Sequence, residues 1–232
     1  MTQITYDPDY IVPFCEQEPE VVYADPHILV VEKPSGLLST PGRDPRNRDC
    51  LITRLQTQWP TAQLVHRLDM DTSGLMVVAL TARAQAELSR QFRERLVAKT
   101  YRAAVFGHMA ADEGEIDFPL IADWPNRPLQ KVCYQDGKPS LTYYSVLQRL
   151  SQPDISLVEL RPHTGRSHQL RLHLKALGYP ILGDKFYADP HICTLAKRLM
   201  LHACHLQFSH PESGDTLSYS SAFNLTDLLD CT

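Results

Sequence analysis

Short apolar runs, set apart by spacers of hairpin length, dominate this chain and limit it to a strand-rich fold. Runs of β-branched and large apolar residues bounded by Gly, Pro, Asn or Asp read as strands. Strands are therefore expected over residues 28–31, 75–80, 100–106, 130–134, 141–147, 155–160, 203–208 and 216–220. Lys33-Pro34-Ser35-Gly36 ends the first as a turn, and Glu212-Ser213-Gly214-Asp215 joins the last two as a hairpin. Helical periodicity is confined to fewer places. Thr81 can cap a helix over 82–95, where Ala84, Leu88 and Phe92 recur at helical spacing and Arg83, Arg90, Arg93 and Arg95 lie mostly off that stripe. Residues 167–177 present Leu170, Leu174 and Leu177 on one face and stop at Gly178. A shorter helix is expected over 50–59. Hairpin spacing outnumbers β-α-β spacing, so the fold class is α+β with a mainly antiparallel sheet.

Before residue 21 the chain carries Pro8, Pro13, Pro19 and several acids without periodicity, and reads as an acidic N-terminal arm over 1–20. Residues 21–232 then fit one domain, with no linker, internal repeat or low-complexity tract to divide them. No apolar run approaches the roughly 20 residues that a bilayer span needs, so no membrane partner is expected. The N-terminus lacks the basic-then-apolar order of a signal peptide, which points to a cytoplasmic protein. Cys15, Cys50, Cys133, Cys193, Cys204 and Cys231 form no C-x-x-C pair and fit free thiols in a reducing compartment. His202-Ala203-Cys204-His205 alternates along a strand, so its donors point to opposite faces and no metal site is assigned.

The net charge of −4 argues against a polyanionic partner until its distribution is considered. Residues 1–32 hold seven acids and no Lys or Arg, and four acids but no Lys or Arg follow Arg198. Residues 33–198 therefore hold 23 bases against 16 acids, a net of +7. A basic centre between acidic ends can present a local anion-binding face on an acidic protein.

One strongly polar loop leads into a strongly apolar strand. His66-Arg67-Leu68-Asp69-Met70-Asp71-Thr72-Ser73-Gly74 runs directly into Leu75-Met76-Val77-Val78-Ala79-Leu80. Asp69 thus stands at the mouth of a core element, where more than solvation is expected of a carboxylate.

This run resembles the signature loop of the RluA family of RNA pseudouridine synthases, His-Arg-Leu-Asp-x-x-Thr-Ser-Gly, at every fixed position. Lys33-Pro34-Ser35-Gly36, Lys99-Thr100-Tyr101, Thr164-Gly165-Arg166-Ser167-His168-Gln169-Leu170-Arg171 and Leu177-Gly178-Tyr179-Pro180-Ile181-Leu182-Gly183-Asp184 are similar to further elements of that family, in its order. Asp123-Trp124-Pro125-Asn126-Arg127-Pro128 with Gln130-Lys131-Val132 is similar to the branch that modifies both ribosomal and transfer RNA. The resemblance implies a long bent mixed sheet with flanking helices, carrying a cleft across its face. It also implies a catalytic domain without an S4 RNA-binding domain, for which the short acidic arm leaves no room.

What the resemblance implies chemically is an isomerisation in which uracil is detached, turned and reattached through carbon. That reaction is redox-neutral, so no cofactor and no metal are expected. It needs an ionised carboxylate as nucleophile or base in a dry pocket, and the family assigns that role to Asp69. Burial alone would protonate such a group, whereas a nearby guanidinium favours the anion. Arg166 is the candidate counter-charge. Tyr101 offers a ring to stack on uracil and a hydroxyl for proton transfer, and Leu201 is a candidate pocket wall. Arg67, Arg127, Lys131, His168 and Arg171 are candidate RNA contacts, with Arg67 implicated in evicting the target base. The partner is RNA, either a tRNA anticodon stem-loop or large-subunit rRNA or both, and the protein is expected to be a monomer.

Two other readings compete. Asp71-Thr72-Ser73-Gly74 before an apolar strand also suits an aspartic-protease loop, but such a site needs two carboxylates and the motif occurs once. A non-catalytic RNA-binding module on the same fold is the other, and the intact set Asp69, Tyr101 and Arg166 speaks against it.

Overall fold

The computed structural model describes residues 10–151 and 153–222. The first nine residues of the acidic arm, and Cys231, lie outside the described residues. Residues 10–19 form no helix or strand. Part of this segment is held by Arg54, whose guanidinium donates to the Cys15 and Gln17 carbonyls at 2.6 and 2.9 Å while pairing with Asp49.

The chain forms two compact units, one built from residues 10–99 with Ala203–Ala222, the other from Thr100–His202. The first contains β1 (Glu20–Ala24), β2 (Ile28–Lys33), α1 (Leu51–Gln56), β3 (Gln63–Leu64), β4 (Ser73–Ala79) and α2 (Ala82–Arg93). β5 (Ala98–Phe106) carries the chain into the second unit. That unit adds β6 (Glu113–Ile116), β7 (Leu120–Ala122), a 3-10 turn at Trp124–Asn126, β8 (Gln130–Val132), β9 (Thr142–Leu150), β10 (Ile155–Pro162), α3 (Gln169–Ala176) and α4 (Pro190–Cys193). β11 (Leu201–Ser209) returns to the first unit, which β12 (Thr216–Ser220) completes. The division therefore falls inside two strands, which is why no linker marks it in the sequence.

In the first unit β2 pairs antiparallel with β1 and β4, setting Val30 opposite Val77 and Lys33 opposite Gly74. β3 pairs antiparallel with the end of β4, β11 lies beside β4, and β12 folds back on β11 as the expected hairpin. All seven residues of β4 are buried. A strand covered on both faces reads as a continuous apolar run instead of an alternation, and that is the sequence of residues 75–80. The Thr81 hydroxyl accepts the Ala84 amide at 3.1 Å and starts α2 where the sequence places it. Ala84, Leu88 and the half-buried Phe92 then pack on a core that includes Ile28, Val77, Ala79 and Phe208. Each fully buried leucine there is worth about 1.5–3 kcal/mol.

In the second unit the strand order is β5-β10-β9-β6, antiparallel throughout, with Leu160 opposite Tyr101. β7 and β8 form a separate antiparallel hairpin around the 3-10 turn. Val105, Val158, Leu160, Leu174 and Leu182 are among its core residues. The fold is α+β with mainly antiparallel strands and few helices, as expected. The described cysteines are free thiols, and no helix among the described residues is long and apolar enough to cross a membrane.

Candidate active site

Asp69 lies in the loop between β3 and β4, and the turn after β2 fixes that loop. Lys33 is fully buried. Its ammonium donates to the carbonyls of Pro34, Leu37 and Met70 at 2.9, 2.7 and 2.9 Å. The Gly36 amide donates to the Met70 carbonyl, and the Ser35 hydroxyl donates to the Asp71 carbonyl at 2.7 Å. Ser39 finishes the job one residue before Asp69: its hydroxyl donates to the Leu68 carbonyl at 2.7 Å and accepts the Leu68 amide at 3.2 Å. Thr72 closes the turn by donating its amide to the Asp69 carbonyl. Asp69 is half-buried, Arg67 is exposed, and Leu68, Thr72 and Ser73 are buried. The sequence shows Lys33-Pro34-Ser35-Gly36 as the end of a strand. Its work as a clamp on the Asp69 loop needs the antiparallel register of β2 and β4, and no local pattern reveals it.

In the second unit Tyr101 sits in β5, half-buried against the core. Leu201 opens β11 and is buried in the same cluster. Arg166 is exposed on the turn between β10 and α3, where its Nε donates to the Pro139 carbonyl at 3.3 Å. The buried Gln169 holds that turn. Its Oε1 accepts the Thr164 hydroxyl at 2.8 Å and the Arg166 amide at 3.0 Å, and its Nε2 donates to the Leu141 carbonyl and the Thr142 hydroxyl. Gln169 therefore fixes the turn that carries Arg166, a part that its place in the Gly-Arg-Ser-His-Gln segment does not announce.

The candidate RNA contacts of this unit divide by burial. Arg127 lies with its guanidinium 4.4 Å from the ring of the exposed Trp124, and Lys131 pairs with Asp123 at 3.4 Å; both are on the β7–β8 hairpin. His168, at the start of α3, adopts φ +54, stacks on Phe186, and sets Nδ1 2.8 Å from the Tyr187 hydroxyl. Arg171 corrects the expectation of an RNA contact. It is 2% exposed, forms a bidentate pair with the fully buried Asp184 at 2.6 and 2.9 Å, and lies against Phe186 and Tyr187. Asp184 also accepts the Phe186 and Tyr187 amides. Arg171 is thus structural, fixing the turn after Gly183. Among the described residues no three His, Cys, Asp or Glu side chains are grouped to hold a metal.

A family model described as RNA pseudouridylate synthase matches residues 27–176. The dual-specificity RNA pseudouridine synthase RluA of Yersinia pestis is 58% identical over 199 residues, covering 86% of this chain and 96% of that protein. The protein of the same description from Escherichia coli K12 is 54% identical over 207 residues, covering 88% and 94%. The solved structure of human RNA Pseudouridylate Synthase Domain Containing 1 superposes with a TM-score of 0.75 at 30% identity, covering 91% of this chain and 86% of that one. Human RNA Pseudouridylate Synthase Domain Containing 4 shares the fold, with a TM-score of 0.73 at 24% identity. These likenesses favour the enzyme over the protease-like and purely binding readings. The chain belongs to the RluA family of RNA pseudouridine synthases.

Proposed function

We propose that Asp69 is the carboxylate that converts uridine to pseudouridine, acting as nucleophile or base. The observation that supports this most is the fixing of its loop from both flanks, by Ser39 at Leu68 and by Lys33, Ser35 and Gly36 at Met70 and Asp71. Positioning a reacting group in advance lowers the barrier because its conformational entropy is lost at folding. Tyr101 stacks on uracil and serves proton transfer, Arg166 supplies the positive charge that favours the carboxylate anion, and Leu201 walls the pocket. Arg67 helps to evict the target base from the RNA stack, and Arg127, Lys131 and His168 contact the RNA.

The substrates in this reading are two: a uridine of a tRNA anticodon stem-loop and one of large-subunit rRNA. Both would be read as loops with splayed bases, since the major-groove base edges of a regular A-form helix lie too deep for side chains. The enzyme works as a cytoplasmic monomer, with residues 21–232 as its catalytic domain.

Carbodiimide mapping of RNA from cells with and without the protein tests both claims. Loss of pseudouridine at one tRNA site and one rRNA site is expected on deletion. Restoration by wild type and by Asp71→Ala, but not by Asp69→Asn, is the expected pattern. Robust modification by folded Asp69→Asn protein would remove Asp69 from the reaction, and loss at a single RNA class would remove the dual specificity.

A further inference from the structure

We propose that His66 is a positioning residue for the reaction: by accepting the Val77 amide, its neutral imidazole hangs the Asp69 loop from β4. This rests on the reading of Asp69 as the catalytic carboxylate. On the side of β4 away from β2, Leu64 of β3 opposes Val78. The chain then bends out of the strand at Val65 and His66, before a further residue of β3 can oppose Val77. The Val77 amide instead donates to the imidazole Nε2 at 3.1 Å. Val77 is fully buried, and a buried amide is rarely left without an acceptor. A ring nitrogen that accepts must carry a lone pair, so the imidazole proton is on Nδ1 and the ring is uncharged.

The surroundings favour that state. The Phe92 ring stacks on His66 with centroids 4.4 Å apart and planes 23° apart. The Lys99 ammonium lies 6.0 Å from the centroid of the same Phe92 ring. Burial, and then the Lys99 cation, hold the imidazole pKa down to about 3. A protonated His66 would turn Nε2–H toward Val77 N–H, donor against donor.

The loop is then held at successive points: His66 on β4, Leu68 on Ser39, and Met70 with Asp71 on the turn after β2. Arg67 and Asp69 alternate with those points, and their side chains are the ones given work on the RNA. Without His66 as acceptor, the N-terminal half of the loop loses its hydrogen bond to β4 and keeps those of Leu68 to Ser39. A displacement of about 1 Å at a reacting group can slow a reaction roughly 100-fold.

His66→Phe keeps a flat ring on Phe92 and removes the acceptor, whereas His66→Gln offers an amide oxygen that can still accept. With a stem-loop RNA in single-turnover conditions, His66→Phe is expected to slow the chemical step about 100-fold and leave RNA affinity within about threefold. His66→Gln is expected to recover at least about tenfold of that loss. Nitrogen-15 NMR of the wild-type imidazole is expected to show Nε2 unprotonated and hydrogen-bonded, and the ring neutral, at pH 5. A His66→Phe enzyme with the wild-type chemical step would overturn the proposal, and so would a loss of RNA affinity matching the loss of rate. A wild-type ring carrying its proton on Nε2 would do the same. If His66→Phe does not fold, the glutamine variant and the wild-type spectrum decide. The spectrum does not depend on Asp69, so failure of the carboxylate reading shows in Asp69→Asn and failure of this hydrogen bond shows in the tautomer.

Discussion

Lys33 and Arg171 are cations with opposite fortunes at the level of sequence and the same fate in the fold. Both are fully buried, one under three carbonyls and the other against Asp184 and two aromatic rings. Lysine and arginine are almost never fully buried unless paired, so local sequence places them outside by default. That default gave Lys33 no role beyond a turn and gave Arg171 to RNA. The loop that carries Asp69 was legible for a different reason: its motif is contiguous, and a loop feeding an apolar strand can be seen in one window. Lys33 also yields a prediction. Methionine keeps the length and apolar stem of lysine but has no donor. Lys33→Met should leave the Pro34, Leu37 and Met70 carbonyls without their shared donor, at a penalty of roughly 3 kcal/mol. Urea unfolding should show a lower midpoint with an unchanged slope, and single-turnover rate should fall further than stability requires, because the Met70 anchor is the one next to Asp69. A rate that falls only in proportion to the folded fraction would confine Lys33 to stability.

At the scale of elements, the sequence placed those whose own residues announce them. Thr81 and the stripe Ala84, Leu88 and Phe92 located α2, and the hairpin from β11 to β12 lies where Glu212-Ser213-Gly214-Asp215 put it. β6, with sequence EGEI, was missed because two glutamates and a glycine give no strand signal; its register against β9 supplies the order instead. α3 begins at Gln169, later than the periodicity suggests, because His168 at φ +54 cannot belong to a right-handed helix. The flanks of that stripe are buried as well, through Arg171 and His173, and so is Leu172 on the opposite side, so the leucine stripe describes only part of the packing of α3. Gly74 shows an element-level constraint hidden inside the motif. It adopts φ +117, and a Cβ there would fall 2.3 Å from the Ala203 carbonyl oxygen. β4 and β11 approach each other too closely at this point for any side chain. Gly74→Ala should therefore combine a backbone strain of about 1–3 kcal/mol with a clash against backbone that cannot turn aside. It is expected to lower the thermal midpoint by several degrees and to reduce soluble yield, measured beside Gly214→Ala, where no atom lies within 4 Å of the added carbon. Equal behaviour of the two variants would mean that the strands can separate at low cost.

For the whole molecule, the two units share a chemical vulnerability that neither charge nor composition reveals. His66 is in the first unit, His173 and His202 in the second. Burial lowers the pKa of each, with Lys99 adding to the effect at His66 and Arg198 and Arg102 at His202. His66 and His202 are held down to about 3, against an ordinary histidine value of about 6.5 in an unfolded chain. A histidine depressed in the fold binds its proton in the unfolded chain first. Below the unfolded value the unfolded state therefore holds more protons, and stability falls as pH falls; above it, the group contributes no pH dependence. Each such histidine should contribute a slope of about 1.4 kcal/mol per pH unit once the pH is well below 6.5, continuing until the folded-state value is reached. Stability should thus be flat from pH 8 to 7 and fall steeply between pH 6 and 4, before most carboxylates are protonated. Urea midpoints measured across that range should show it. His202→Gln and His173→Gln should each reduce the slope without moving its onset, and His66→Gln should do so in the other unit. A midpoint unchanged down to pH 5 would show that the three imidazoles take up protons in the folded protein as readily as in the unfolded chain.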